Sequence, residues 1–355
     1  MPFRELRTSR CGLILYRDDG VVWDDYLHHR QLGLPPEADP ALRFFRQWRD
    51  PGVAPNSISP ALISLLHSAD ILIERGSSLD HAESAMTEAW RPWSPITMAY
   101  HQSSTFKTDE KFLSQEQSDQ LLREKVKSDP PPSVHYSHPR ATTTVPLVDT
   151  SSSPKADDDF WHLLRQRRSA REYGSTPVDF SAISHLLREI AVPAWFSHKS
   201  QTALKVVPSG GGRHPTELYL YSRDISGLEP GVYHMNTQTV SLEKLSGPVD
   251  PSMLMSACGE QLWTAGAQAL LFYTSRIDRN QWKYTHSRSY RVLHYDVGHV
   301  AQTVALGLVN LGLVSTFTAA LRDDLVTQIL RIEYAGELVM GCTVIGTPAI
   351  EAHTA

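Results

Sequence analysis

At 355 residues the chain has room for one large domain or two to three smaller ones, and with 41% hydrophobic and 21% charged residues it can bury a sizeable core. A formal net charge of −5 speaks against a dedicated nucleic-acid binder, whose domain is usually basic. No apolar run approaches the ~20 residues that span a bilayer, the start Met1-Pro2-Phe3-Arg4-Glu5 lacks the apolar core of a signal peptide, and the scattered cysteines Cys11, Cys258 and Cys342 fit a reducing cytoplasm without metal-like spacing.

Residues 1–101 read as one unit. Cys11 to Tyr16 predicts a short strand closed by the Asp18-Asp19-Gly20 turn. Ala41 to Trp48 is helical in pattern. Ser59-Pro60 places a capping residue before a first-turn proline, and Leu62, Ile63, Leu65 and Leu66 then repeat at helical spacing. Ala69 to Glu74 predicts a strand and Leu79 to Trp90 a further helix. Helices followed by a small β element resemble a winged-helix arrangement. The acidic balance favours docking of a peptide or partner over DNA, with a purely structural cap as an equal alternative.

Residues 102–158 change character. Ser, Thr, Asp, Lys and Pro dominate, with Pro130-Pro131-Pro132 and Ser151-Ser152-Ser153-Pro154. Glu116 to Val126 has room for a short helix; the rest reads as linker, extended near the prolines.

Residues 159–355 form the larger unit. Phe160 to Arg168 predicts a helix ending in a basic cluster, and Phe180 to Ala191 an amphipathic helix with Ile183, Leu186, Leu187 and Ile190 on one face. The glycine loop Pro208-Ser209-Gly210-Gly211-Gly212-Arg213-His214 follows, then strands at Leu218–Tyr221, Gly231–His234 and Ala269–Thr274. Tyr290 to Leu311 predicts a long, centrally buried helix, and Leu338 to Ile345 the last strand. Strands and helices mix without strict βαβ alternation, which points to an α+β fold.

Four places carry candidate chemistry. Three consecutive glycines free the backbone to take positive φ and approach a ligand closely; with no Gly-Lys-Ser/Thr the loop is not a Walker A loop, and with no helix opening at its third glycine it is not a dinucleotide fingerprint. A plain surface loop is the alternative. Arg167-Arg168-Ser169-Ala170-Arg171 offers guanidinium forks for a phosphate, or is a solvated basic turn. Lys283 beside Tyr284, just before the long helix, suits general acid–base work if burial lowers the lysine pKa; an ordinary exposed lysine in a helix-leading loop is the alternative. His294, Asp296, His299 and Gln302 lie on the long helix, but His294 and His299 are five apart and diverge in direction, so buried hydrogen-bonding histidines are favoured over a metal site.

Together these motifs, in this order, resemble the FMN-dependent nitroreductase superfamily, and within it the SagB-type branch that includes azoline oxidases of peptide biosynthesis. Arg167 to Arg171 is similar to the branch's phosphate motif, Pro208-Ser209-Gly210-Gly211 with Pro215 and Glu217 to its glycine loop, Gly231-Val232-Tyr233-His234 to its "pGvYhY" strand, and Tyr290-Arg291 through Asp296, Gly298, His299 and Gln302 to its central helix. Trp90, Trp93, Pro95, Tyr100 and His101 resemble its "W…W…p…yH" segment.

The resemblance implies an α+β nitroreductase fold with an N-terminal winged-helix-like docking domain (1–101), a Ser/Pro/Asp-rich linker (102–158) and an FMN-binding oxidoreductase domain (159–355). It implies a cytoplasmic homodimer with FMN at the subunit interface. Arg167, Arg168, Ser169, Arg171, Pro208, Ser209, Gly210, Gly211 and Arg291 are the implied cofactor-binding residues. Lys283 and Tyr284 match the pair that azoline oxidases use to abstract a ring proton while hydride passes to flavin N5, with oxygen as final acceptor. The implied partners are a modified precursor peptide and a cyclodehydratase complex; no nucleic acid, membrane or metal is implied. An NAD(P)H-dependent nitro or quinone reductase, or an oxidase of another peptide bond, is the alternative. One departure stands out: after Gly312-Leu313 the relatives continue with glycine and a "GF" segment, where this chain has Val314-Ser315-Thr316-Phe317-Thr318-Ala319-Ala320.

Overall fold

Central strands of a sheet bury both faces, so they read as unbroken apolar runs. Leu218 to Tyr221 and Ala269 to Tyr273 are two such runs, and in the computed structural model of the chain they are neighbours in a six-stranded sheet. The structure describes residues 5–18, 20–109, 111–128, 159–197, 202–333 and 335–349; the Pro130–Pro132 and Ser151–Pro154 tracts of the expected linker lie outside them. The residues group into two compact units. The first takes Met1–Thr105, Arg276–Leu293 and Glu333–Leu338; the second takes Phe106–Ser275, His294–Ile332 and Val339–Ala355. The N-terminal unit is thus completed by two later segments that the division at 101 and 158 does not include.

In the first unit, β1 (Leu6–Thr8) is followed by an antiparallel meander of β2 (Gly12–Arg17), β3 (Gly20–Asp25) and β4 (Arg30–Leu34). Helices α1 (Ala38–Phe44) and α2 (Pro60–Ser68) come next, then β5 (Leu72–Glu74), antiparallel to β1, and helices α3 (Ser78–Trp90) and α4 (Pro95–Ser103). The meander precedes the helices, whereas the sequence pattern suggests helices followed by a small β element. Ser59 Oγ accepts from Leu62 N at 3.1 Å and Pro60 opens α2, as a Ser-Pro start requires. Leu6, Leu42, Phe45, Ile63, Leu66 and Leu72 form its core. Beside that core, Arg7 is 2% exposed and lies 3.2 Å from Glu83 and 3.4 Å from Asp80. Glu83 also accepts from Ser9 Oγ and from Arg10 N.

The second unit opens with Phe106–Thr108 fastened to the start of a later helix: Phe106 N donates to Asp323 at 3.0 Å and Thr108 N to Asp324 at 3.1 Å. Helices α5 (Gln115–Ser128) and α6 (Asp159–Gln166) follow, so the helix expected over Glu116–Val126 is present and the one expected over Phe160–Arg168 ends at Gln166, with Arg165 in its last turn and Arg167, Arg168 and Arg171 beyond it. Next come β6 (Val178–Asp179), α7 (Phe180–Ala191), the pair β7 (Trp195–Ser197) and β8 (Thr202–Leu204), and β9 (Thr216–Ser222). Short β10 (Ile225–Ser226) pairs with β6; β11 (Gly231–Asn236) and β12 (Ser241–Ser246) form a hairpin; α8 (Pro251–Ala257) and β13 (Ala269–Arg276) follow. Helix α9 (Ile277–Lys283) belongs to the first unit. Then come α10 (Tyr290–Asn310), which begins in the first unit and continues in the second, β14 (Val314–Thr318), α11 (Asp323–Leu330) and β15 (Glu337–Gly346).

The six-stranded sheet has the order β12-β11-β9-β13-β15-β14. Successive side chains point to opposite faces, so Leu218, Leu220, Leu271 and Tyr273 meet α7 and α10 on one side, while Tyr219, Tyr221, Leu270 and Phe272 meet α8 and α11 on the other. Asp179 caps α7, accepting from Ser181 N at 2.7 Å, and the predicted Ile183, Leu186, Leu187 and Ile190 face is buried. The expectation of a centrally buried α10 is corrected. Leu293, Val297, Val304 and Leu308 are buried along one face, but His294, Tyr295, Gly298 and His299 are exposed.

Candidate active site

The glycine loop is held from behind by one carboxylate. Residues 210–212 make a single 3₁₀ turn in which Gly211 has φ 67° and Gly212 φ 65°, a region costly for any side chain. His214, not a glycine, also takes φ 45°, and its imidazole Nε2 lies 2.9 Å from the Ala203 carbonyl. Asp296, 2% exposed on the buried face of α10, accepts from Ser209 Oγ at 2.6 Å and from Gly210 N at 3.0 Å. Ser209 Oγ in turn accepts from His214 N at 2.9 Å. Burial pushes the Asp296 carboxyl above the ordinary carboxylate range, opposed by these two donors and by His299. A cavity of about 20 Å³ between the loop and α10, lined by Pro208, Ser209, His214, Thr216 and Asp296 among others, has room for a water and not for a planar ring system.

The basic cluster is fixed to the edge of the same sheet. Ser169 bridges Ser315 of β14, Ala170 N donates to the Ser315 carbonyl at 3.1 Å, and Thr316 Oγ1 donates to the Ala170 carbonyl. Tyr173 OH donates to the same carbonyl at 3.2 Å, and Gln268 Nε2 donates to the Gly174 carbonyl at 2.5 Å. Gly346 lets the segment pass, since a Cβ there would sit 2.4 Å from Gln268 and 2.5 Å from Tyr173. Arg168, Ser169 and Arg171 are exposed and Arg167 half-exposed; the Arg171 guanidinium stacks 5.8 Å from the Trp263 ring centre. β14, Val314–Thr318, is thus the strand that seats the arginines.

Lys283 and Tyr284 lie in the first unit with Arg291, whereas Arg167 to Arg171 and Pro208 to Gly211 lie in the second. Lys283 is the last residue of α9 rather than part of a loop, and it is exposed, with Nζ 5.5 Å from the Tyr284 ring centre. The turn after it is clasped by the N-terminal segment: Trp93 Nε1 donates to the Tyr284 carbonyl at 3.3 Å and Ser94 N to Ser287 Oγ at 2.8 Å. Behind the clasp, His101 Nδ1 lies 2.9 Å from Tyr290 OH, and Trp90 stacks on His101 at 5.3 Å. One turn before Lys283, Asn280 is wholly buried with neither polar side-chain atom partnered among the described residues. Sequence reasoning named Asp296 without its role; a lone carboxylate on the Leu293, Val297, Val304, Leu308 face was the available signal. The seating role of Ser315 and Thr316 and the clasp by Trp93 left no such local mark.

The nitroreductase family model matches residues 164–347. The chain belongs to the nitroreductase family. It is 33% identical over 178 residues to a nitroreductase homologue of Methanocaldococcus jannaschii, covering 50% of this chain and 87% of that protein. It is 31% identical over 145 residues to the trifolitoxin-processing protein TfxB of Rhizobium leguminosarum bv. trifolii, covering 40% of this chain but only 39% of that relative. A chain of the E. coli microcin synthetase McbBCD complex, solved with truncated pro-MccB17 bound, superposes with a TM-score of 0.51 at 18% identity, over 74% of this chain and 97% of that one; at that identity the likeness speaks for the fold. Among the described residues no helix is long and apolar enough to cross a membrane.

Proposed function

We propose that this nitroreductase-family chain is an FMN-dependent dehydrogenase that oxidises a ring in a modified peptide, azoline to azole. The observation that carries the reading is the clasp of Trp93 and Ser94 on the turn after Lys283-Tyr284. It ties the N-terminal segment, which a simple reductase does not need, to the turn that carries the Lys283-Tyr284 pair. The processing of trifolitoxin by one relative and the peptide bound in the microcin synthetase complex lend it support.

The donor set fits FMN. Arg167, Ser169 and Arg171, spaced two apart, suit a phosphate and ribityl chain, with Arg168 and Arg291 as further cations. The Pro208-Ser209-Gly210-Gly211 loop, free of Cβ atoms at its crest and fastened by Asp296, suits the edge of a flat ring. FMN supplies the hydride acceptor. Lys283 takes the carbon-bound proton of the substrate ring, and Tyr284 orients the ring or shares that proton. A second copy of the chain packs on the exposed His294, Tyr295, Gly298 and His299 face of α10, and a cyclodehydratase partner supplies the ring. The archaeal homologue's name favours a second reading, a nicotinamide-dependent nitro or quinone reductase.

Anaerobic mixing of the purified, flavin-loaded protein with NAD(P)H separates the two. A flavin spectrum that stays oxidised, and bleaches only on adding an azoline peptide, is the expected result. Rapid bleaching by NAD(P)H alone would replace this proposal with the reductase. Lys283→Ala is expected to keep its flavin spectrum and lose at least about 100-fold in turnover, the range of a lost general base.

A further inference from the structure

A cleft of about 570 Å³ opens in the first unit between the end of α3 and the start of α4, within the range of sites that take several side chains of a ligand. Its apolar wall is Trp90, Trp93 and Met98, all nearly buried. Trp90 packs edge-on to Trp93 at 5.6 Å and stacks on His101, so the wall is braced from behind. The polar side of the cleft has donors in excess. Its one carboxylate, Glu88, is matched by Arg91 at 3.3 Å. The Arg10 guanidinium makes no hydrogen bond or ion pair among the described residues. An apolar wall beside a surplus cation lacks one thing, an acceptor carried on an apolar body.

We infer that this cleft binds a peptide segment in which a carboxylate side chain adjoins bulky aliphatic ones, the carboxylate meeting Arg10 and the aliphatic groups packing on Trp93 and Met98. The inference rests on the peptide-dehydrogenase reading. It adds a recognition site distinct from the reacting ring and a chemistry for it. Trp93 joins the two, since its ring lines the cleft while its N–H holds the Tyr284 carbonyl at 3.3 Å. A peptide seated there is held one side chain away from the turn that follows Lys283.

The test uses the full chain with flavin bound and three fluorescein-labelled twelve-residue probes in a Gly/Ser frame, centred on Leu-Glu-Leu-Glu, Leu-Lys-Leu-Lys and Gly-Glu-Gly-Glu. Fluorescence anisotropy is expected to show the first binding at least tenfold more tightly than the other two. Arg10→Glu, an exposed change that leaves the flavin spectrum as a check on folding, is expected to reverse the preference toward the lysine probe; Arg91→Glu is expected to weaken the acidic probe further. Equal binding of all three probes, or a preference unmoved by Arg10→Glu, would overturn the inference. The readout is binding and not turnover. A chain that binds the acidic probe but is bleached by NAD(P)H sinks the dehydrogenase and spares the cleft, and the opposite pattern does the reverse.

Discussion

The two units hold themselves together in different ways. The second is a layered sheet: β9 and β13 bury both faces in two apolar clusters, with one buried arginine, Arg322, paired to Glu260 at 2.8 Å beside them. The first has short strands and short helices around a smaller core, and it inserts Arg7, Glu83 and a stack of Trp90, His101 and Tyr290 among them. Non-directional burial tolerates imprecise geometry, whereas a buried ion pair requires both partners in place. The lesson is that the unit carrying the glycine loop rests mainly on its two apolar layers, and the unit carrying Lys283 adds to a smaller core directed contacts that fix positions.

The largest expected effects test that contrast directly. Glu83→Ala leaves Arg7 buried beside Asp80 alone and strips the acceptor of Ser9 and Arg10 N. It should cost about 3–5 kcal/mol. Phe272→Ala, at a fully buried position of β13, should cost a similar ~3–5 kcal/mol through the cavity it leaves. Urea unfolding followed by both tryptophan fluorescence and flavin release separates them: Glu83→Ala should lower the tryptophan transition more than flavin release, and Phe272→Ala should lower both. Coincident shifts in both variants would mean that the chain unfolds as one cooperative body and the contrast is only one of composition.

Next in size is Asp296→Asn. Two hydrogen bonds to a charged acceptor become bonds to a neutral one, and Asn can accept through only one atom. A loss of about 1.5–3 kcal/mol in flavin binding is expected, about ten- to a hundredfold in Kd, read by flavin fluorescence on titration. Stability should move the other way. Burial raises the folded carboxyl above its unfolded value, so ionising it opposes folding as pH rises past the ordinary carboxylate range. The neutral amide removes that cost, and its Tm should be equal or higher at pH 7. Asn280→Leu tests the first unit in the same manner. Its buried amide is unpartnered among the described residues, so leucine should hold stability or raise it by up to roughly 1–3 kcal/mol. Turnover should fall if the amide serves the neighbouring Lys283.

How much of this was legible follows the same contrast. β9, β13 and α7 were read from the chain because their burial writes a periodic or continuous apolar pattern. The meander was read only at its first strand, since Leu13 and Ile14 are about 40% exposed and no alternation marks a buried face. β14 escaped notice because Ser315, Thr316 and Thr318 are buried polar residues that a strand places against the Arg167–Arg171 segment, and in sequence they look like a loop. α9 is seven residues long, and no side-chain cap announces it. Of the candidate site, the glycines and arginines were legible as local clusters. The bond from Asp296 to Ser209 spans 87 residues and that from Trp93 to Tyr284 spans 191; no local spacing encodes either.

The smallest predicted effect sets one pair of each unit side by side. His234 on β11 lies 2.6 Å from Glu217 on β9 and 3.1 Å from Glu243 on β12, cross-strand neighbours on the sheet's outer part. The Glu217 hydrogen bond, against the cost of burial, raises the imidazole above its ordinary value. A raised histidine stabilises fully while the unfolded state is also protonated, below about pH 6.5, and its contribution is lost as pH climbs through the raised folded value. The second unit should therefore lose a few tenths to about 1 kcal/mol across that window, and Glu217→Gln should flatten the loss in a Tm-against-pH series. The Arg7–Glu83 pair of the first unit contains no histidine. A pH series in which Glu217→Gln keeps the slope of the unaltered chain would show that the His234 pair contributes nothing to the stability of the sheet.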